Sequence, residues 1–363
     1  MNIQTATMEY ESWLESHTAV VEEDLAIKHQ HMKKDLFLFL RATYYRWAQL
    51  WPEICQELAE APEVLAVGDL HIENFGTWRD SEGRLVWGCN DFDEAWTLSY
   101  TNDLVRVAAS AAFAIKMDHL HIGFKDACKN LLKGYRDGLK AGGRPFILAE
   151  QHNALRKMAT ADLREPVHFW TVKAAKLPLF TGDLPPAAAE LIAEVLPQAD
   201  LPGRVCTRVA GNGSLGHQRY VRIADWQGGQ IAREAKAMVP SSVTWAAGIE
   251  TDEILSEKII GQAVRCADPF VKVSKSWVVR RLAPDCSAIA VTDWPDKQNE
   301  ERLLYSMGWE TANVHLGSPD NTAAVLQDLD NRDPSWLPQA AKKMMKVTRK
   351  DWKEWRKSAK QKG

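Results

Sequence analysis

Apolar positions in this chain follow helical spacing in its first and last parts and extended spacing in shorter stretches between them. From Met32 to Trp51, Leu36, Phe39, Leu40, Tyr44 and Trp47 fall along one side, predicting a buried amphipathic helix that Pro52 interrupts. Leu65 to Val67 reads as a short strand entering Gly68-Asp69. Phe75 to Arg79, a turn at Asp80 to Gly83, and Arg84 to Cys89 predict a tight hairpin. Thr101, Asn102 and Asp103 lead into an alanine-rich helix reaching Ile115. Asn102 or Asp103 could cap that helix, and an aspartate here could equally brace the backbone of the preceding loop. Residues 126–198 read as further helices separated by proline-rich breaks.

Near Gly203 the pattern becomes extended. Val205 to Val209 and Tyr220 to Ile223 flank the run Gly211, Asn212, Gly213, Ser214, Leu215, Gly216. A Gly-x-Gly-x-x-Gly that opens a helix suggests a dinucleotide fold, whereas one between two strands suggests a hairpin covering phosphates with backbone amides. Taken alone, the run is also what a glycine-rich β-turn would give. Its context adds a turn at Gln227 to Gly229, a third strand from Gln230 to Ala235, a mostly helical segment from Ser241 to Ala267, and strands within Val271 to Leu282. That is the element order of a kinase small lobe.

Composition narrows the picture further. At 363 residues with a formal charge of -3, the chain can bury a large core and shows no global nucleic-acid or membrane signature. Six scattered cysteines without a Cys-x-x-Cys pair read as reduced structural thiols rather than a zinc site. The polar, acidic stretch Met1 to Leu25 does not resemble a secretory signal, and no apolar run is long enough to span a bilayer. A soluble, cytoplasmic protein is expected. The segment Lys342 to Lys362 is strongly basic and carries Trp352 and Trp355. It reads as a solvated helix docked by two tryptophans, with polyanion contact as the alternative.

The candidate chemistry lies in Gly68 to Asn74 and Asn90 to Glu94. Asp69 stands five residues before Asn74, and Asp91-Phe92 follows the hairpin. This is the spacing of a kinase catalytic loop and metal-binding aspartate. The hairpin would return Asp91 beside Asn74, where an amide oxygen and a carboxylate can share Mg2+ with nucleotide phosphates. Asp69 would orient an acceptor hydroxyl and take its proton. His71 is a further catalytic candidate, with a structural hydrogen-bonding role as its alternative. Asp93 and Glu94 read either as metal or substrate contacts or as a solvated acidic turn. Arg41, inside an apolar run, needs a partner, either a carboxylate or a bound phosphate or substrate. The third strand of the later lobe offers Arg233 and Lys236 as phosphate-binding cations, with Glu257, then Glu253, as the helical partner.

These motifs resemble the bacterial, kinase-like family labelled domain of unknown function 2252. The resemblance runs through Gly68 to Gly76, Asn90 to Glu94, Asp103 to Arg106, Gly211 to Gly216, and Arg233-Glu234-Ala235. It also extends to aminoglycoside and choline kinase type phosphotransferases through Gly68-Asp69-Leu70-His71. The resemblance implies a circularly permuted phosphotransferase fold. Asp69 would be its catalytic aspartate, Asn74 and Asp91 its Mg2+ ligands, and Gly211, Asn212, Gly213, Ser214 and Gly216 its phosphate cover. The family's lysine is Arg233 here. Arginine is longer and forked, so it need not reach the same oxygens. Lys236, three residues along the strand, should face the opposite side.

The expectation is an α+β, protein-kinase-like, two-lobe fold, circularly permuted. Residues 1–200 would form a large helical lobe, 201–283 a β-rich small lobe hinged at Val278 to Leu282, and 284–363 helices completing the large lobe with the basic tail. The expected activity is ATP- and Mg2+-dependent phosphoryl transfer to a hydroxyl of an unidentified, small-molecule acceptor. The alternatives are a nucleotide-binding pseudokinase or scaffold, prompted by Arg233, and AMP transfer to a protein. No membrane partner is expected, and nucleic-acid contact would rest on the basic tail alone.

Overall fold

The apolar stretch from Met32 to Trp51 folds as parts of three helices rather than one. In the computed structural model of the protein, which describes residues 1–149, 152, 155–157, 165–274, 276–286 and 299–361, α1 (Ile3–His17) and α2 (Glu22–Lys34) come first. They precede α3 (Leu36–Ala42), α4 (Tyr44–Ile54) and the short α5 (Gln56–Ala59). Asp35 is extended and caps α3 by accepting the Leu38 N–H at 2.7 Å. Thr43 leaves helical geometry before α4, while Pro52 stays inside α4 and does not end it. A proline so near a helix end removes only one late hydrogen bond. The break at Asp35 is therefore set by local side-chain capping, which apolar periodicity does not report.

Strands β1 (Glu63–Ala66), β2 (Phe75–Arg79), β3 (Leu85–Cys89) and β4 (Trp96–Ser99) follow. β1 pairs with β4, and β2 with β3 as a hairpin whose turn is fixed by Asp80 accepting the N–H groups of Glu82 and Arg84. Helices α6 (Tyr100–Lys116) and α7 (Phe124–Ala141) come next, then β5 (Phe146–Ile147), added to β3, and α8 (Pro186–Glu194). Ser99, not Asn102 or Asp103, is the N-cap residue of α6. Much of residues 150–164, within the stretch expected to hold further helices, lies outside the described residues, as does Lys362 of the basic tail.

The second half opens with β6 (Gly203–Thr207), β7 (Arg219–Trp226) and β8 (Gly229–Ala237). After α9 (Ser242–Ala247) and α10 (Ser256–Gln262) come β9 (Lys272–Ser274) and β10 (Trp277–Arg281). The segment expected to be mostly helical is thus two short helices with an irregular connection that holds Glu250 and Glu253. The strands form one antiparallel sheet in the order β6-β7-β8-β10-β9. Alternation along β8 divides its side chains between two faces. Arg233, Ala235 and Ala237 share one, which packs under α8 with Tyr220, Trp277 and Val279; Glu234 and Lys236 share the other.

Helices α11 (Glu300–His315), α12 (Thr322–Asn331) and α13 (Trp336–Gln361) complete the chain. They return to the first-encoded part: Leu303, Met307, Ala312, Leu337 and Met344 belong to the same core as Phe37, Leu104 and Leu131. The α7–α11 contact is backbone against backbone, since a Cβ on Gly134 would lie 1.9 Å from the Tyr305 carbonyl oxygen. On α13, Trp355 is buried with Ile3, Met32 and Phe39, and Trp352 packs beside it. The fold class is α+β, and among the described residues no helix is long and apolar enough to cross a membrane.

Candidate functional site

Between β1 and β2 the backbone must turn sharply, and Gly68 supplies the turn with a φ of +82°. A Cβ there would also lie 2.3 Å from the Glu94 carbonyl oxygen. The turn is braced from below by Asp103, whose two oxygens accept the Val67 and Gly68 N–H groups at 2.8 and 2.9 Å. His315 Nε2 lies 3.0 Å from the same carboxylate, and Tyr135 lies 2.8 Å from His315 Nδ1. Asn102 donates to the Gly68 carbonyl at 3.1 Å. Of the two roles open to Asp103, the brace is the one observed.

This scaffold presents Asp69. Arg106, fully buried on α6, donates to Asp69 Oδ1 from Nε at 2.8 Å and from Nη2 at 2.5 Å, and to the Leu40 carbonyl at 2.8 Å. Its guanidinium also lies over the rings of Tyr44 and Trp47. Burial pushes the Asp69 carboxyl up to about 6, with Arg106 holding it from rising further. Asn74 donates from Nδ2 to the Asp69 carbonyl at 2.6 Å, which fixes the amide and reserves its oxygen as an acceptor. The Asn90 N–H donates to the Asn74 carbonyl at 3.0 Å, so the hairpin returns Asp91 beside Asn74 as its spacing predicts.

Asp91 Oδ1 is buried, has no hydrogen-bond partner among the described residues and lies 3.6 Å from Lys236 Nζ. Lys236, 2% exposed, forms its ion pair with Asp93. Burial and the neighbouring Asp93 raise the Asp91 carboxyl; burial would raise Asp93 too, but Lys236 outweighs it and holds Asp93 low. An orphaned carboxylate oxygen beside a fixed amide suits a hard cation that draws its remaining oxygens from a ligand. Among the described residues no group of three or more His, Cys, Asp or Glu side chains could hold a metal by itself.

Sheet register builds the opposite wall. Arg280 pairs directly with Glu234, and Arg219 with Lys236, on the face that carries Glu234. Glu234, fully buried, accepts from Arg219 at 2.8 Å, from Arg280 at 3.1 Å and from Arg208. Burial alone would raise its carboxyl, but the three guanidinium groups hold it well below the usual range. One carboxylate against three arginines leaves a net positive wall.

The glycine run forms the roof. Gly213 comes so near the Asp69 loop that a Cβ on it would lie 3.5 Å from Asp69 Oδ2. The run is held by α2 and its approach: Lys28 Nζ donates to the Gly213 carbonyl at 2.9 Å and the Val21 N–H to the Gly216 carbonyl at 2.8 Å. His31 Nδ1 lies 2.9 Å from Asn212 Oδ1, and Arg219 donates to Ser214 Oγ at 3.0 Å. Among the described residues, the backbone N–H groups of 212–216 donate no hydrogen bond. Successive free amides of this kind form an anion-binding concavity.

Asp69, His71, Asn74, Asp91, Gly211, Asn212, Gly213 and Ser214 therefore line one cavity of ≈ 260 Å³. Gly216 lies behind it against Leu25. His71 lines the cavity but accepts the Glu73 N–H at 3.2 Å, and burial and two arginines hold its pKa well below normal. That keeps the ring neutral and suits the structural reading. Arg41 finds its partner in Glu73.

Two expectations meet a different geometry. Arg233 faces away from the cavity, donating to the Val195 carbonyl at 2.9 Å and lying over Phe270, because strand parity puts it on the face under α8. Lys236 is the third-strand cation that reaches the carboxylates. Glu257 is exposed on α10 and away from the cavity, so the partner of that cation is Asp93. Lys28, Arg208, Arg219 and Arg280 are not singled out by the sequence, and Glu234 enters only within the Arg233-Glu234-Ala235 motif. Arg219, Glu234 and Arg280 lie in strands, where a charge at an alternating position names a buried charge but not its partner.

Residues 20–174 match the family model described as "Uncharacterized protein conserved in bacteria (DUF2252)". No curated protein and no solved structure matches the chain. The matched segment holds Lys28, Asp69, Asn74, Asp91, Asp93, Asp103 and Arg106, and ends before the glycine run and the arginine wall.

Proposed function

We propose that the protein is a kinase-like phosphotransferase with circularly permuted lobes, using ATP and Mg2+ to phosphorylate a hydroxyl of a small-molecule acceptor. The observation that carries this reading is the approach of Gly213 to Asp69 across a cavity that also holds Asp91 Oδ1, which among the described residues has no hydrogen-bond partner. The free amides of 212–216, together with Arg208, Arg219 and Arg280, supply the donors that a triphosphate needs. Asn74 and Asp91 would hold the cation, which would neutralise charge on the phosphates when bound. Asp69 keeps one oxygen on Arg106, leaving Oδ2 to orient the acceptor hydroxyl and receive its proton. Lys236, paired with Asp93, fills the place of the phosphate-binding cation.

The pseudokinase reading was prompted by arginine at position 233. With that side chain outside the cavity, its identity has no bearing on phosphate contacts. Incubating the protein with ATP, Mg2+ and candidate acceptors, then measuring intact product mass, tests the proposal. Phosphate addition that is lost in Asp69→Asn supports it. AMP addition would replace it with the nucleotide-reversed reaction, and ATP binding without any transfer would favour a scaffold.

A further inference from the structure

Besides the arginines, the cavity that holds Asp69 is lined by Tyr10, Lys28, Tyr44, Tyr45 and Glu94. The first four come from α1, α2 and α4, which the glycine run and the sheet do not supply. Tyr44 is 3% exposed, and its hydroxyl is buried without a hydrogen-bond partner among the described residues. A buried hydroxyl left unpaired is unfavourable by about 1–3 kcal/mol, so an orphan lining a cavity marks a place for a ligand's polar group. It sits next to the catalytic loop, since a Cβ on Gly68 would lie 2.9 Å from it.

Glu94 is held in a fixed pose. Its Oε2 accepts from the Ser242 N–H at 2.7 Å, Ser242 Oγ at 2.8 Å and Ser241 Oγ at 3.0 Å. With one oxygen committed three times over, the other is the atom left to receive a ligand donor. Lys28 makes one hydrogen bond, to the Gly213 carbonyl, and an ammonium carries three donors.

Charge selects the ligand class. Lys28 Nζ lies 5.8 Å from the Tyr10 ring centroid and 5.9 Å from that of Tyr45, so the cation position over these rings is already filled. An anionic acceptor would have to bring its charge beside Glu94, whose side-chain partners among the described residues are the neutral Ser241 and Ser242. What suits an aromatic lining with a carboxylate, a free tyrosine hydroxyl and an ammonium is a neutral molecule with several hydroxyls. Its hydroxyls both donate and accept.

We infer that Tyr44, Glu94 and Lys28 form the acceptor subsite, and that the acceptor is a neutral polyol or sugar. This rests on the phosphotransferase reading. One hydroxyl faces Asp69 Oδ2, and a neighbouring hydroxyl donates to Glu94 and accepts from Tyr44 or Lys28. The reacting oxygen bonds to the γ-phosphorus of ATP as the bond to the bridging β-phosphate oxygen breaks. ADP leaves with that electron pair, and the hydroxyl proton passes to Asp69.

The test measures ADP release with three acceptor classes: neutral polyols and sugars (glycerol, myo-inositol, glucose, ribose), amino alcohols (ethanolamine, choline) and hydroxy acids (glycerate, lactate). ATP affinity is measured in parallel. Turnover confined to the neutral class is expected. Tyr44→Phe and Glu94→Gln should each raise the acceptor KM by about tenfold, with ATP affinity changed less than twofold. Turnover with amino alcohols or hydroxy acids, an acceptor KM unchanged in both variants, or ATP binding with no turnover in any class would overturn the inference. Loss of ATP binding in the unmodified protein would instead sink the phosphotransferase reading beneath it.

Discussion

Arg106 gives two hydrogen bonds to one oxygen of Asp69, from Nε at 2.8 Å and from Nη2 at 2.5 Å, and none to the other. The asymmetry divides the carboxylate into an anchored oxygen and one that Arg106 leaves free. A lysine cannot reproduce the fork, and it would leave the Leu40 carbonyl with only the Thr43 N–H, at 3.3 Å. Arg106→Lys should therefore lower kcat by about 100-fold. Arg106→Ala, which strands a buried carboxylate, should also destabilise the fold by about 3 kcal/mol. Steady-state kinetics and thermal melting of the two variants check both effects.

Asp69 accepts a proton only when ionised, and burial places its carboxyl near 6. Activity should accordingly be low in acid and rise with pH through about 6 to a plateau, the limb expected for an essential base. Arg106→Lys keeps the charge but loses the hydrogen-bonding fork that helps hold this carboxyl down, so its acid limb should lie at or above the unmodified position, never below it. A pH–kcat/KM profile with no acid limb would contradict Asp69 as the base.

Arg233 and Lys236 offer a matched pair of tests on one strand. Lys236 pairs with Asp93 and faces Asp91, while Arg233 lies over Phe270 on the far side of the sheet. Lys236→Met should weaken ATP binding by about tenfold or more. Arg233→Lys should leave ATP affinity within about twofold. The opposite pattern in titration calorimetry would return the phosphate contact to Arg233.

How much of this was legible in sequence depended on the range of the interactions. Asp69, Asn74 and Asp91 were readable because a five-residue loop and a tight hairpin bring them together locally. The Asp103 brace was readable only as one of two options, since its choice depends on where Gly68 and His315 come to lie. Strand parity correctly separated Arg233 from Lys236, but parity cannot say which face meets the cavity. Lys28 was invisible as a site residue because its partner, the Gly213 carbonyl, belongs to a distant loop. The arginines around Glu234 depend on the register of three strands, and sequence order does not fix register.

Gly68 combines a positive φ with a backbone oxygen 2.3 Å from where a Cβ would stand. Gly68→Ala should destabilise the protein by about 2 kcal/mol or more, because the obstacle is backbone and not a movable side chain. Gly83→Ala also replaces a glycine of positive φ, but nothing lies within 4 Å of its Cβ position, so its effect should be smaller. Comparing their melting temperatures separates crowding from backbone conformation.

The central claim is that nucleotide phosphates bind between the glycine run and the pair Asn74 and Asp91. Its most direct test is ATP affinity with and without Mg2+, in the unmodified protein and in Asp91→Asn. The account predicts that Mg2+ strengthens binding by about tenfold or more in the first and far less in the second. Absence of ATP binding, or an equal Mg2+ effect in both proteins, would contradict it.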